Sequence, residues 1–442
     1  KKLLLRDWVV MITLPLSIMF SSFEIAGIGS LIPLIQKSFG TTDSETALLR
    51  TLSSAAHITA FIGLWLFGDF MPKKRAFLIT VTLWALLTFA STLVSSEQYW
   101  LYLVLRSLAS MNAEVFRILV NVLQAEHFTG KYLTAALTLN IVGESMAFLI
   151  ATIVNSILVD NDSSWKLGVI FGPALVIPVI ILSAIFLRRN APIKAVLNPV
   201  SVLRNAFGVL TIPSYTLLII SQAITMFYST TLSFWISSMV LQSYETRPEV
   251  FLGMSYPTVS TIVAVTSFAG LLSGGIGVPY LTQSLQSCSL LAIPFVYAAC
   301  STLETLSYIT EVTMITRSFW LFSISYFIDG IAGSGIMLNN LQLVLSTTPA
   351  GQRASALSLM RLTISLGIMP GAQIMAAISD YFRGDSSDPM VRLEALQKTF
   401  LYTCFMPAIS TVMCLVILRF YLRDVIRAKQ IDLRDQEESA TL

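Results

Sequence analysis

The stretch RRNAPIKAVLNPVSVLRNAFG, residues 188–208, decides how the chain is organised. It carries Arg188, Arg189, Lys194 and Arg204, the breakers Pro192 and Pro199, and no acidic residue. On either side of it the chain falls into mainly apolar stretches of about 20 residues, the length a helix needs to cross the hydrocarbon core of a bilayer. Six precede it, at 9–31, 47–68, 76–95, 99–122, 132–159 and 167–187, and six follow, at 214–240, 255–278, 286–308, 319–346, 354–378 and 399–419. The breaks between them, such as KSFGTTDSE, DNDSSWK and TTPAGQR, are rich in turn formers. This pattern predicts an all-α membrane protein of twelve transmembrane helices in two six-helix halves. The halves are 1–187 and 214–419, with a linker at 188–213 and a polar tail at 420–442.

Composition supports that reading. Of 442 residues, 55% are hydrophobic and 12% charged, about half the charge that covers a soluble domain. The net charge of +3 supplies no basic field for nucleic acid. Cys288, Cys300, Cys404 and Cys414 stand apart inside apolar stretches, so neither a disulfide framework nor a metal site is expected, and no cofactor motif occurs. There is no phosphate loop, HExxH or GxSxG, and only His57 and His127 are available for acid–base work, so an enzyme is not expected.

Basic residues orient the spans. With the first segment placed in the cytosol, only Lys37, Lys166, Arg247, Arg317, Arg383, Arg392 and Lys398 fall in loops on the far side, and the cytosolic segments hold more than twice as many. The positive-inside rule then puts both termini in the cytosol. The sequon at Asn161, a candidate glycosylation site, falls in an outer or lumenal loop. The first apolar stretch is too long for a signal-peptide core and reads as the first span.

An ionisable group at mid-bilayer costs at least about 2.5–3.5 kcal/mol, so each one asks for a reason. Glu24, Glu114, Arg117, Glu144, Asp329 and Arg361 lie well inside spans, whereas Arg50 and Glu304 lie near an end. Glu114 and Arg117 are three residues apart on one helix face, so they either neutralise each other or line a polar cavity, with Arg117 holding an anionic head group and Glu114 exchanging protons. Glu24 and Glu144 have no opposite charge nearby in sequence, which suits proton coupling. Arg361 needs an acidic partner, for which Asp329 is the candidate, or an anionic ligand. His57 is either a packing histidine or a pH sensor. Phe227, Tyr228, Phe234 and Trp235 either wall a cavity for an apolar ligand or pack in a core or against lipid, and the Gly- and Pro-rich spans suit halves that move.

One loop carries a family signature. Gly68-Asp69-Phe70-Met71-Pro72-Lys73-Lys74-Arg75 is similar to the Gly-x-x-x-Asp-Arg-x-x-Arg-Lys loop of the major facilitator superfamily. The resemblance implies that Asp69, Lys73 and Lys74 latch the cytosolic side, with Phe70 in place of the usual Arg. Within that superfamily the chain resembles the Spinster-like lipid transporters. The matching stretches are IPLIQKSF, GDFMPKK, LRSLAS, the start of span six at Trp165, LSFW, and TTPAGQRASAL through AAISD. The family's span-one acid falls on Glu24 but its following Arg on Ile25, its span-four Glu falls on Ala113 beside Glu114, and its span-ten acid falls on Asp329.

The resemblance implies a secondary transporter that moves a lysophospholipid or sphingoid-type lipid by alternating access, linked to protons. Arg117, Arg361 and Asp329 would hold the head group against Trp235 and Tyr228, and Glu24, Glu114, Glu144 and His57 would handle protons. The expected setting is a lysosomal, late endosomal or plasma membrane, with the protein acting as a monomer and its partners limited to substrate, protons and the bilayer. Two rivals remain open: a carrier of a small organic anion or cation, and a non-transporting sensor with the same fold.

Overall fold

The computed structural model describes residues 4–41, 43–160, 164–187, 206–384 and 388–441; the basic connection at 188–205 and the sequon Asn161 lie outside the described residues. Thirteen long helices are present among them: α1 (Leu5–Phe39), α2 (Asp43–Phe67), α3 (Lys73–Thr92), α4 (Tyr99–His127), α5 (Lys131–Asp160), α6 (Trp165–Phe186), α7 (Pro213–Thr246), α8 (Tyr256–Gln286), α9 (Ala292–Met314), α10 (Phe319–Thr347), α11 (Arg353–Arg383), α12 (Pro389–Thr403) and α13 (Phe405–Thr441). The described residues contain no strand. Among the described residues, eight segments are long and apolar enough to cross a membrane by length and composition alone. The helices α4 and α9 have the length but carry Arg106, Glu114 and Arg117, and Glu304 and Glu311, respectively.

Three boundaries differ from those expected. The expected ninth span is 286–308, but Ser287–Ser289 form a turn and α9 runs Ala292–Met314. In that turn the Ser287 hydroxyl donates to the Ser284 carbonyl, and Ser289 Oγ accepts the Leu291 amide at 3.1 Å. Serines compete in this way with helical hydrogen bonds. The shift puts Glu304 in mid-helix and brings Glu311 into the helix. The twelfth span, 399–419, straddles the join of α12 and α13 at Cys404. From Tyr421 the chain continues α13 and packs: Tyr421, Asp424 and Ala428 are buried. Asp424 Oδ2 accepts the Ser214 amide at 3.0 Å and its hydroxyl at 2.6 Å, so it caps the first turn of α7.

The chain forms two compact units. One holds Lys1–Gly208 with Ala350–Leu359, the other Val209–Pro349 with Met360–Leu442. In the first, α1 packs on α5 and α6, α3 on α4 and α6, and α2 on α4. Phe77 and Trp84 of α3 meet Phe116 of α4 edge-on, with ring centroids 6.3 and 5.8 Å apart. A second aromatic group joins Phe39, Tyr99, Tyr102 and Trp165. Asn140 of α5 donates to Asn121 and Gln124 of α4 at 2.9 and 2.8 Å, a buried polar clasp of the kind that joins membrane helices.

In the second unit α8 packs along α10, α9 along α10, and α7 along α13. Glycine permits the closest of these approaches. A Cβ added at Gly270 would fall 2.4 Å from the Phe327 carbonyl oxygen, and one at Gly274 would fall 2.5 Å from that of Ile331. This is the small-residue packing that lets membrane helices touch backbone to backbone.

Candidate functional site

Three charged residues of the first unit, Glu114, Arg117 and Glu144, converge. Three residues apart on α4, Glu114 and Arg117 point the same way, and the guanidinium Nη1 lies 3.3 Å from Glu114 Oε1 and 3.0 Å from Glu144 Oε1 of α5. On the α1 side Arg117 Nε donates to Ser21 Oγ at 3.3 Å, and Nη2 donates to Ser22 Oγ. Both serines in turn donate to the Ile18 carbonyl, so each hydroxyl is fixed as an acceptor for the arginine. Beside Glu144, Gly143 faces α1, where an added Cβ would meet Met19 Cβ in ordinary contact at 3.4 Å. Neighbouring on α2, His57 Nε2 lies 2.6 Å from Ser110 Oγ of α4.

One guanidinium thus serves two carboxylates and two hydroxyls, which the planar, five-donor fork of arginine allows and lysine does not. The three ionic side chains are part-buried, with Glu144 the most open at 27%. Sequence reasoning named Glu114, Arg117, Glu144 and His57 without their meeting, and missed Ser21, Ser22 and Ser110. Only the serine pair on the span-one helix near Glu24 hinted at the first two. Glu24 itself lies on α1, but its side chain falls outside the described residues.

On α1 and α6, in the same unit, lies an apolar groove of about 380 Å³. Phe20, which neighbours Ser21 in sequence, lines it together with Leu16, Leu175 and Leu182.

The expected site residues of the second unit distribute differently. Tyr228 is fully buried and donates its hydroxyl to the Phe400 carbonyl at 2.9 Å, with its ring against Tyr308 and Phe400. Trp235 packs part-buried against the same core. Among the described ion pairs none joins Arg361 to Asp329; the charge of Asp329 acts instead on Glu304 and Glu311 of α9.

The motif loop divides its work three ways. Asp69 is buried, and its two carboxylate oxygens accept the Ala354 and Ser355 amides at 2.9 and 3.2 Å, so it caps the first turn of α11. Gly68 makes room, since a Cβ there would lie 3.1 Å from Ala354 Cβ. Lys73 turns to Glu126 at 2.6 Å. Lys74 donates to the carbonyls of Ala184 and Leu187 at the end of α6.

Burial pushes the Asp69 carboxyl up to about 6, while the hydrogen bond from Ser355, the charge of Lys73 and the two amides pull it partly back. The capped carboxyl therefore holds a proton more tightly than a free one at 3.8. The cap gains stability in acid, fully below about pH 4, and loses that gain as pH rises through about 6. Amide-exchange protection factors at Ala354 and Ser355 are expected to fall between those limits. Asp69→Asn is expected to flatten the profile, and an unchanged profile would rule this out.

Comparisons with known proteins agree with this architecture. Residues 14–311 match the Major Facilitator Superfamily. Protein spinster homolog 1 of Homo sapiens is 23% identical over 289 residues, covering 62% of this chain and 54% of that protein. The Xenopus laevis protein of the same name is 23% identical over 170 residues, 38% of this chain and 32% of that one. The chain thus spans about half or less of the length of these relatives. Among solved structures, a bacterial homologue of the iron transporter ferroportin covers 94% of this chain and 99% of its own at TM-score 0.70 and 13% identity. A bacterial homolog of the human lysosomal transporter Spinster covers 96% and 99% at TM-score 0.57 and 15% identity. At these identities the structures testify to the fold alone, whereas the sequence match extends over more than half of the chain. The chain is similar to Spinster proteins and belongs to the major facilitator superfamily, as a multi-pass membrane protein.

Proposed function

We propose that the protein moves a single-chain amphiphilic lipid with an anionic head group, of lysophospholipid or sphingoid type, by proton-linked alternating access. The observation that carries this reading is the arrangement of Arg117 between Glu114 and Glu144. One positive and two negative charges leave the cluster one negative charge in excess. An anionic head group gains Arg117 only when a carboxylate releases it, and protonation of Glu144 or Glu114 is the least costly way to do so. Anion binding and proton binding then favour each other, which is the requirement for coupled movement.

The apolar groove along α1 and α6, in the same unit as the Arg117 cluster, supports an amphiphile over a wholly polar solute. The contact of His57 Nε2 with Ser110 Oγ, one turn before Glu114 on α4, supports a part for His57 in the same proton handling. The Asp69 cap on α11 acts as the cytosolic latch of the cycle, with both termini in the cytosol, and the weak likeness to Spinster proteins supports an acidic organelle or the cell surface as the setting.

The test is flux in reconstituted vesicles. A fluorescent lysophospholipid is expected to accumulate when a pH gradient is imposed and to stop doing so when the gradient is collapsed. Uptake of a small organic anion without lipid flux would replace this reading with the small-solute one, and no flux across either class would favour a sensor.

A further inference from the structure

We propose that the groove along α1 and α6 holds one chain of an anionic phospholipid of the surrounding bilayer, with the lipid's phosphate at Arg6 and Lys74, outside the Arg117 cluster. On α1 the groove is lined by Val9, Ile12, Thr13, Leu16 and Phe20, whose spacing of three to four residues makes one face of a helix. Ile12 of that face and Leu175 and Leu182 of α6 are exposed, so the groove opens outward to lipid. At 1.5 Å per residue, Val9 to Phe20 covers about 16 Å. Half of the hydrocarbon core is about 15 Å, so the groove has the length of a chain in one leaflet, the leaflet at the N-terminal end of α1.

The end of the groove at Val9 is cationic. Half-buried Arg6, one turn before Val9, donates from Nε to the Phe186 carbonyl of α6 at 2.7 Å, and Lys74 of α3 donates to the Ala184 and Leu187 carbonyls at 2.7 and 2.6 Å. Two cations from different helices thus gather on the last turn of α6. Among the described ion pairs no carboxylate takes Arg6, and its chain neighbour Asp7 accepts the Leu4 amide at 3.1 Å. With Nε used, the rest of the guanidinium fork suits phosphate oxygens. The sequence adds Arg188 and Arg189 directly after Leu187. Trp8, 51% exposed, stands between Arg6 and Val9; tryptophan favours the headgroup level of a bilayer, which places the phosphate at Arg6 and the chain beyond it.

One polar side chain interrupts the apolar lining. Thr13 is 3% exposed, and its Oγ1 has no hydrogen-bond partner among the described residues, an uncommon condition for a buried hydroxyl. It lies about 10 Å along the helix from Arg6, where a phospholipid's ester carbonyl joins head to chain and supplies the missing acceptor. A sterol would leave the cations unanswered, and a free phosphate would leave the groove empty. A molecule with both a phosphate and a chain uses both. The substrate class proposed above shares that chemistry, but occupancy of this site requires no transport.

Native mass spectrometry of the full chain, released from nanodiscs of equal parts phosphatidylglycerol and phosphatidylcholine, tests the site. Wild type is expected to retain phosphatidylglycerol over phosphatidylcholine by about fivefold or more, the factor that one basic side chain near a membrane surface contributes. Arg6→Gln and Lys74→Gln are each expected to cut that preference by about fivefold, and Arg6→Lys to keep most of it. Ile12→Trp adds bulk at an exposed wall of the groove and is expected to lower retention of phosphatidylglycerol severalfold. Equal retention of the two lipids by wild type would make this ordinary boundary lipid and overturn the headgroup assignment. Retention unchanged in Ile12→Trp would overturn the groove. If Arg6→Gln fails to fold, Lys74→Gln decides, and an unchanged preference there overturns the cationic end. No flux is measured, so failure of the transport reading leaves these outcomes unaffected.

Discussion

Arg117→Ala is expected to reduce lipid flux in reconstituted vesicles by about 100-fold. Removing one partner of a buried charge pair costs about 2–5 kcal/mol, mainly because the remaining charge is stranded. Here two carboxylates are stranded, but side-chain exposures of 13–27% soften the cost toward about 3 kcal/mol, and each 1.4 kcal/mol is about tenfold. Arg117→Lys keeps the charge but cannot span Ser21, Ser22, Glu114 and Glu144 at once, so about a tenfold loss is expected. Glu144→Gln separates binding from coupling. It leaves Arg117 paired with Glu114 alone, so lipid exchange should persist while accumulation driven by a pH gradient is lost. Flux of Arg117→Ala within twofold of wild type would remove the cluster from the transport pathway.

The largest effect on stability is expected at Gly274. A Cβ there would fall 2.5 Å from the oxygen, 2.6 Å from the Cα and 2.9 Å from the carbonyl carbon of Ile331. All three atoms are backbone, so no rotamer change relieves the clash and α8 must part from α10. Overpacking of this kind costs about 1–3 kcal/mol or more, and Gly274→Ala should sit at the upper end, with the detergent-solubilised protein melting at a clearly lower temperature. Gly277 supplies the control. It lies one turn away on the same helix with no heavy atom within 4 Å of an added Cβ, so Gly277→Ala should be neutral or, through helix propensity, stabilising by up to about 1 kcal/mol. Equal melting of the two variants would mean that the α8–α10 approach is not as close as described.

Both predictions join features of different legibility. Gly270-x-x-x-Gly274 is visible in the sequence as a spacing, yet nothing in it says which helix lies opposite; Phe327 and Ile331 of α10 provide that. Likewise the three-residue spacing of Glu114 and Arg117 announces a shared face on any helix. Glu144 comes 27 residues after Arg117 on another helix, and only the packing of α1, α4 and α5 turns the pair into a triad. Arg361 and Asp329 show the opposite outcome, an expected pairing absent among the described ion pairs, with Asp329 set beside other acids instead. Glu311 lies beyond the expected end of the ninth span at 308 and enters the helix only because the turn at Ser287–Ser289 shifts α9 toward the C-terminus.

What the sequence determined by itself was the membrane class, the number and approximate place of the spans, and the superfamily. These follow from local quantities: apolar length measured against the bilayer, charge excluded from spans, and the Gly68–Arg75 loop. Tertiary structure alone decided which carboxylates meet an arginine. It also decided that Asp69 caps α11 while Lys73 and Lys74 serve other partners, and that the charged C-terminal segment packs through Asp424 and Tyr421. The physical reason is that a buried charge is neutralised by whatever is nearest in space, and spatial neighbours in a helical bundle lie tens to hundreds of residues apart in the chain.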